Sequence, residues 1–283
     1  MKRPLMHLLV LTAVLALSAC STTAITDSLR VYDLEHEHLL IDAQALQRLQ
    51  GARIVLVGEH HNNVDHHLAQ LKVIQALHRT GKKVAIGMEM FRRDSQQALD
   101  QWTSGRMEEQ QFVDVFNDNW TFGWKLYRPI LTYARDHRIP VVGLNVPRKI
   151  TLQVAYHGFQ SLTPEQKGSL EGIVCDVTEE YRDFVQSAYG AHAHGGMKFE
   201  QFCEAQLVWD SVMAVNAIDY LKKNDERIMV VVAGSGHAHK RGIPAQLAKR
   251  STLPYIVVLP ETKGIYEKHF LTDQDADLIL LKH

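Results

Sequence analysis

Short runs of aliphatic residues recur along the chain, separated by longer stretches with an apolar residue at every third or fourth position. The short runs are rich in β-branched residues and predict buried strands. These strands are expected at 53–57, 84–88, 140–144, 229–232 and 255–259, with a further edge strand at 277–281. The intervening stretches predict amphipathic helices. Strand and helix in alternation predict an α/β fold with a mostly parallel sheet and helices on both faces.

The alternation of strand and helix stops between residues 148 and 198, where no run of strand type occurs. Helical patterns occupy 164–172 and 178–189, and a glycine-rich loop follows at 190–196. We therefore predict a helical insertion at 148–198 that covers the carboxyl edge of the sheet. The whole of 36–283 is expected to form one domain.

Residues 1–19 have the pattern of a lipoprotein leader. Two basic residues precede an apolar run at 7–17, which is too short to span a bilayer. The tetrapeptide LSAC at 17–20 resembles a bacterial lipoprotein processing site. We predict a signal peptide at 1–19, lipid with palmitate on Cys20 as a membrane anchor, and a polar tether at 20–35. A serine, not an aspartate, follows the cysteine, and by resemblance to lipoprotein sorting this indicates the outer membrane.

Composition limits the classes of partner. The 283 residues are 46% hydrophobic and 22% charged, with a formal net charge of −1, which is ordinary for a globular protein with a sizeable core. The chain has no extended basic cluster, so it is not expected to bind nucleic acid. Beyond Cys20 the chain has Cys175 and Cys203, and the sequence is consistent with one disulfide or with two free thiols.

Polar side chains follow four of the predicted strands at the point where each strand ends. They are Glu59 with His60 and His61, Glu89, Asn145, and His237 with His239. Because the carboxyl ends of parallel strands meet at one edge of a sheet, where ligands bind, we expect these groups in one cleft. Such a cleft suits a transition metal, an activated water or an anion. The alternative is a polar cluster that only hydrogen-bonds the loop backbone.

Two features of the sequence restrict what this site could bind. Glu59 and Glu89, expected on adjacent strands, would raise each other's pKa unless a cation or a protonated histidine lies between them. The loop at 234–239 is not a dinucleotide-binding fingerprint, since His239 stands at the third glycine of G-x-G-x-x-G.

Motifs at the strand ends resemble those of the ChaN family of haem-binding bacterial lipoproteins. They are GEHH at 58–61 followed by DHH, GMEM at 87–90, GLNVP at 143–147, and GSGH at 234–237 followed by GIP. The resemblance covers nearly all of 45–260. It also extends to the wider superfamily of Tiki/TraB metal-dependent proteases and erythromycin esterases, in which His61, His237 and Glu89 would match ancestral catalytic or metal-binding positions.

The resemblance to ChaN implies haem capture for iron uptake at the cell envelope, in contact with haem-uptake receptor or transporter components. It also implies a homodimer that holds haem at its interface, with a tyrosine of one subunit on the iron and basic residues of the other near the propionates. Phenolate suits ferric haem, and a nearby cation makes it a better ligand by lowering its pKa.

No motif identifies the tyrosine. Tyr127 lies between Lys125 and Arg128 in an aromatic stretch that could line a macrocycle or could be ordinary core. The other candidates lie in the predicted cover: Tyr181 and Tyr189 for the iron, and His192, His194 and Lys198 for the propionates.

Two other classes of function stay open. One is a metal-dependent hydrolase or peptidase that uses Glu59, His61, Glu89 and His237 with a divalent metal. The other is a lipoprotein scaffold that acts only through its dimer surface. The resemblance favours a haem-binding protein over an enzyme.

Overall fold

The structure is a computed structural model that describes residues 28–170, 172–192 and 196–282, with side chains left out at 187–192. The predicted signal peptide, Cys20 and His194 lie outside the described residues. No helix in the described part of the chain is both long enough and apolar enough to cross a membrane.

Eight strands form one sheet in the described residues. They are β1 Arg30–Asp33, β2 His38–Ile41, β3 Ile54–Val57, β4 Lys83–Arg92, β5 Val141–Asn145, β6 Arg227–Val232, β7 Tyr255–Pro260 and β8 Leu278–Leu280. Their order across the sheet is β2-β1-β8-β7-β3-β6-β4-β5. The six strands from β8 to β5 pair in parallel, and β1 pairs antiparallel with both β2 and β8. The predicted mostly parallel sheet is confirmed.

Two predictions about the sheet edge formed by β2, β1 and β8 were wrong. The predicted tether at 20–35 is too long, because β1 lies inside it and pairs with two strands. The run at 277–281 is not an edge strand, since β8 lies between β1 and β7. Both errors have one cause: β1 and β2 have four residues each, too few to show a period.

Eleven α-helices occupy the described residues. They are α1 Ala43–Gln50, α2 Val64–Arg79, α3 Gln96–Thr103, α4 Glu109–Asn119, α5 Trp124–Asp136, α6 Arg148–His157, α7 Pro164–Gly168, α8 Glu179–His192, α9 Phe199–Lys223, α10 Ser235–Ala238 and α11 Ile243–Ala248. Short 3-10 turns lie at Arg93–Ser95 and Phe159–Ser161.

Alternate residues of the central strands pack into two different cores. Val55 and Val57 of β3 join the core formed with α1 to α5, whereas Ile54 and Leu56 join the core formed with α9 and α11. Side chains of a strand point to opposite faces in turn, so a strand buried on both sides reads as one continuous apolar run.

The predicted cover is helical. Its α6 packs on the first half of α9 in one apolar cluster, and α8 packs on the first turns of α9 in another. The second half of α9 lies on the sheet, where Met213, Ala217 and Leu221 are buried. One 25-residue helix therefore fixes the cover to the sheet.

Candidate functional site

The carboxyl ends of β3 and β6 pass close to each other, and glycine permits this. A Cβ on Gly58 would lie 2.8 Å from both Leu259 Cδ2 and Ser235 Oγ. The Ser235 N–H donates to the backbone oxygen of Glu59 at 2.8 Å. The loop after β3 and the loop after β6 are thereby joined where the candidate side chains begin.

Glu59 is buried at the centre of the first half of the site, with a side chain that is 0% exposed. His61 Nδ1 lies 2.6 Å from Glu59 Oε1, and the Tyr127 hydroxyl donates to the same oxygen at 3.1 Å. His67 Nε2 lies 3.0 Å from Glu59 Oε2 and 3.1 Å from the backbone oxygen of His61. The carboxylate therefore orients His61 through Nδ1, and no hydrogen bond among the described residues uses its Nε2.

These contacts decide the charge of Glu59. Burial raises its pKa, but the hydrogen bonds and charges of His61 and His67 outweigh burial and lower the pKa to about 2. Burial lowers the pKa of His61, yet the bond to Glu59 and the charges of Glu89 and Glu59 leave it raised overall. Glu59 is therefore an anion at neutral pH.

His237, after β6, is the centre of the second half. Its Nδ1 lies 2.7 Å from Oδ1 of Asp210, a residue of α9. The Tyr181 hydroxyl, from α8, donates to Asp210 Oδ2 at 2.6 Å. Burial lowers the pKa of His237, but the charges of Glu89 and Asp210 raise it to about 9. His237 is therefore a cation at neutral pH.

Glu89 joins the two halves. It lies inside β4, not at its end, and β6 separates β4 from β3, so Glu59 and Glu89 are not on adjacent strands as predicted. Its Oε2 accepts the Gly234 N–H at 2.7 Å, and its Oε1 lies 3.6 Å from His237 Nε2. A Cβ on Gly234 would lie 3.0 Å from His61 Cε1 and 3.6 Å from Glu89 Oε2. The two imidazoles therefore flank one carboxylate.

We call Glu59, His61, Glu89, Asp210 and His237 the strand-edge cluster. Aromatic rings line it: Trp120 and Phe122 lie 5.1 and 4.9 Å from the His61 ring, and Trp209 lies 5.6 Å from the His237 ring. His61 is the most accessible imidazole, with 28% of its side chain exposed against 12% for His237. Solvent therefore reaches the strand-edge cluster mainly at His61.

Three residues predicted at this edge have other partners. Asn145 donates to the backbone oxygen of Glu89 at 2.8 Å, so it supports the site from below. His60 stacks edge-on with His66 and Tyr266. His239 packs against Phe184 at 4.6 Å, and burial lowers its pKa to about 4.

The structure corrects the expected role of Tyr127 and Tyr181. Both side chains are buried and both hydroxyls donate to carboxylates, so neither oxygen is available to an iron in this arrangement. Burial, with the neighbouring carboxylate, raises the pKa of each phenol, the reverse of what a phenolate ligand needs. Arg128, one of the two cations beside Tyr127 in the sequence, pairs with Glu109 at 2.6 Å.

Other predicted groups are less constrained. His192 ends α8 without a described side chain, and Lys198 is exposed at the start of α9. Cys175 and Cys203 are free thiols, and burial raises the pKa of both, to about 12 and about 11.

Metal ligation at the strand-edge cluster would need the side chains to move together. Among the described residues, one group of three or more histidine, cysteine or acidic ligand atoms lies within 4.8 Å, and it is Asp33, Glu35 and His36. Glu59, His61, Glu89 and His237 do not form such a group.

Sequence reasoning missed Asp210. It lies in the middle of the long helix α9, and most of the residues around it in the helix are buried. An acidic residue at a position that the helical pattern predicts to be buried was the signal that could have identified it.

Comparison with known proteins gives the family. A family profile described as "Haem-binding uptake, Tiki superfamily, ChaN" matches residues 45–247, well over half of the chain. The chain belongs to this family. All five residues of the strand-edge cluster lie within the part of the chain that matches the ChaN family.

Solved structures share the fold. ChaN of Campylobacter jejuni, solved with cofacially bound haem, is 19% identical and superposes with a TM-score of 0.72 over 90% of this chain and 97% of that one. The type III effector HopBA1 is 14% identical, with a TM-score of 0.51 over 84% of this chain and 91% of that one.

A relative is also found by sequence alone. The Arabidopsis thaliana protein RETICULATA-RELATED 5 is 24% identical over 128 residues, which are 43% of this chain and only 17% of that protein's length.

Proposed function

We propose that this chain binds haem and takes part in haem uptake at the bacterial cell envelope. The observation that carries the proposal is the match of the haem-binding uptake family across residues 45–247. The leader at 1–19 and Cys20 support a lipid-anchored protein of the outer membrane, which would pass haem to receptor or transporter components. Iron in this setting would be held by a tyrosine at a homodimer interface.

Tyr156 replaces Tyr127 and Tyr181 as our candidate for the iron ligand. It is 42% exposed on α6, inside the cover, and it is the exposed tyrosine among those with described side chains. Leu152, one turn earlier, is also 42% exposed. An apolar, accessible surface beside a phenol suits one face of a haem.

A cation lies on the same face of α6. Lys149 precedes Leu152 by three positions and Tyr156 by seven, so the three side chains form one stripe. Lys149 is exposed and has no ion-pair partner among the described residues. In a two-fold dimer built on this stripe, contacts occur in pairs, so the lysine of one copy would lie near the haem held by the other. Lys198 stays a second candidate for the propionates.

Titration of the purified full chain with haemin in detergent tests this proposal. We expect saturation near one haem per subunit and a ferric–phenolate absorption spectrum. Tyr156→Phe is expected to abolish the phenolate band and to weaken binding by about tenfold, since it removes one ligand bond but leaves the apolar face. Tyr133→Phe, which alters a half-buried phenol bound to His78 at 2.8 Å, is the control and should bind like the wild type. An unchanged spectrum in Tyr156→Phe would reject this ligand, and no saturable binding would reject haem capture.

A second candidate function is hydrolysis of a carbonyl compound at the strand-edge cluster. The observation that favours it is the orientation of two imidazoles by two carboxylates on either side of Glu89. In its neutral form His61, with Nδ1–H on Glu59, would take a proton from water at Nε2 as the water oxygen bonds to the carbonyl carbon. Cationic His237 would give its Nε2 proton to the leaving group as that bond breaks.

Hydrolysis of p-nitrophenyl acetate and of a peptide mixture tests the second candidate. His61→Gln is expected to lower kcat by about a hundredfold, because it removes the group that accepts the water proton. His78→Gln, a change of a histidine far from the cleft, should not alter the rate. Equal rates in both variants would contradict the proposed base.

A further inference from the structure

Each half of the strand-edge cluster forms the same three-residue arrangement with a buried tyrosine. In one half a buried tyrosine donates to Glu59, which also binds His61 Nδ1 at 2.6 Å. In the other half Tyr181 donates to Asp210, which also binds His237 Nδ1 at 2.7 Å. The two tyrosine–carboxylate–imidazole groups come from different elements and face each other across Glu89. Neither composition nor chain order requires this repetition.

Burying the Asp210 carboxylate inside the protein costs free energy. It is 2% exposed in the middle of α9, where the residues one turn away, Leu207, Met213 and Ala214, are apolar and buried, and burial raises its pKa. A buried carboxylate that serves only packing would be replaced by an apolar side chain without loss. Both of its oxygens are instead used, one on His237 and one on Tyr181. This use is explained if Asp210 is needed to hold the His237 ring in one orientation.

We propose that Asp210 is the positioning residue of His237, holding the imidazole so that Nε2 points at Glu89 and the cleft, and that Tyr181 fixes Asp210 from the cover. The inference rests on the second candidate function for its chemistry. The groups that face His237 are Asp210, Glu89 and the Trp209 ring, with His61 across the cleft. Asp210 contacts no substrate and acts only through the imidazole.

The arrangement also links the cover to the chemistry. Tyr181 lies on α8, whereas Asp210 lies on α9 and His237 follows β6. A displacement of α8 would break the 2.6 Å hydrogen bond and leave Asp210 held by His237 alone. The imidazole is therefore best oriented when α8 is packed on α9. This coupling distinguishes the second half of the cluster from the first, whose tyrosine lies on α5, outside the cover.

Proton NMR of the full chain with ¹⁵N-labelled histidine tests the proposal. An imidazole N–H bonded to a carboxylate gives a low-field proton signal, so the wild type should show one for His61 and one for His237, assigned with His61→Gln and His237→Gln. Asp210→Asn should remove or shift upfield only the His237 signal, and Glu59→Gln only the His61 signal. The surviving signal in each variant shows that the fold is intact. Asp183→Asn, which alters an exposed acid of α8, should change neither.

Kinetics provide the second readout. With p-nitrophenyl acetate as the probe, Asp210→Asn should lower kcat by about tenfold with KM unchanged, and Asp210→Glu should recover part of the loss. Tyr181→Phe should shift the His237 signal less than Asp210→Asn does. A His237 signal that persists in Asp210→Asn, or that disappears equally in Glu59→Gln, would overturn the proposal. If the wild type hydrolyses neither probe, the second candidate function fails, whereas the NMR result still decides the role of Asp210.

Discussion

Alanine at position 143 is expected to lower the free energy of unfolding by about 3 kcal/mol, one of the two largest effects we predict. A Cβ at Gly143, in β5, would overlap the backbone oxygen of Arg92 and lie 2.9 Å from its carbonyl carbon and 3.2 Å from the backbone oxygen of Phe91. All three atoms belong to the backbone of β4, so no side-chain rotation relieves the contact. The strands would have to separate where their register shifts.

Urea unfolding of Gly143→Ala, followed by circular dichroism, measures this effect. The matched control is Gly168→Ala in α7, where an added Cβ meets nothing within 4 Å and the change gains helix propensity. We expect a lower midpoint only in Gly143→Ala, together with weakened support for Glu89 because Asn145 follows two residues later. Equal midpoints in the two variants would show that β5 can move away from β4 at little cost.

The central strands were predictable because both faces are buried. Residues 54–57 and 229–232 are apolar at every position, and the structure assigns alternate residues to two cores. The short strands β1 and β2 have an exposed or half-buried residue at most positions, so they carry no comparable pattern. The place of β1 in the sheet depends on pairing with β8, about 250 residues away in the chain, and β2 joins the sheet only through β1.

The candidate site was predictable where residues follow strands and unpredictable where they come from helices. Glu59 and His61 lie in the loop after β3, and His237 lies in the single-turn helix α10 that follows β6, so the parallel topology brings them together. Asp210 and His67 enter from α9 and α2, and only the packing of those helices on the sheet aims them at the cleft. Tyr127 shows a related limit: Arg128 is its neighbour in the sequence, whereas helix geometry turns Arg128 toward Glu109.

The same difference explains why Tyr156 was overlooked. A tyrosine at an exposed helix position has no distinctive neighbours in the sequence, and only the fold shows that Lys149 and Leu152 share its face. The exposure of Tyr156 cannot be derived from the pattern of α6 alone. Which side of each cover helix is buried depends on how that helix packs on α9, which contributes to both apolar clusters of the cover.

Glutamine at position 59 is expected to destabilise the protein by about 3 kcal/mol at neutral pH. The pKa of Glu59 drops from 4.5 to about 2 on folding, because His61 and His67 hold the carboxylate despite its burial. At 1.36 kcal/mol per pKa unit, the charged form contributes about 3 kcal/mol. Glutamine has the shape of the protonated carboxyl but cannot take the charge, so it removes this contribution and leaves the packing.

The sign of the pH dependence follows from the lowered pKa. The contribution of Glu59 is complete above its unfolded pKa of 4.5 and is lost as the pH falls through about 2. The difference between wild type and Glu59→Gln should therefore shrink from about 3 kcal/mol at pH 7 to about 1.4 kcal/mol at pH 3. Urea unfolding at a series of pH values between these limits measures it.

The control is Glu180→Gln, which alters a carboxylate with 76% of its side chain exposed beside Arg241. Solvent screens such a pair, so its removal should change stability little at either pH. A constant difference between wild type and Glu59→Gln across the series would mean that Glu59 folds without a lowered pKa. In that case His61 would lack the anion that orients it, and the first half of the strand-edge cluster would have no electrostatic basis.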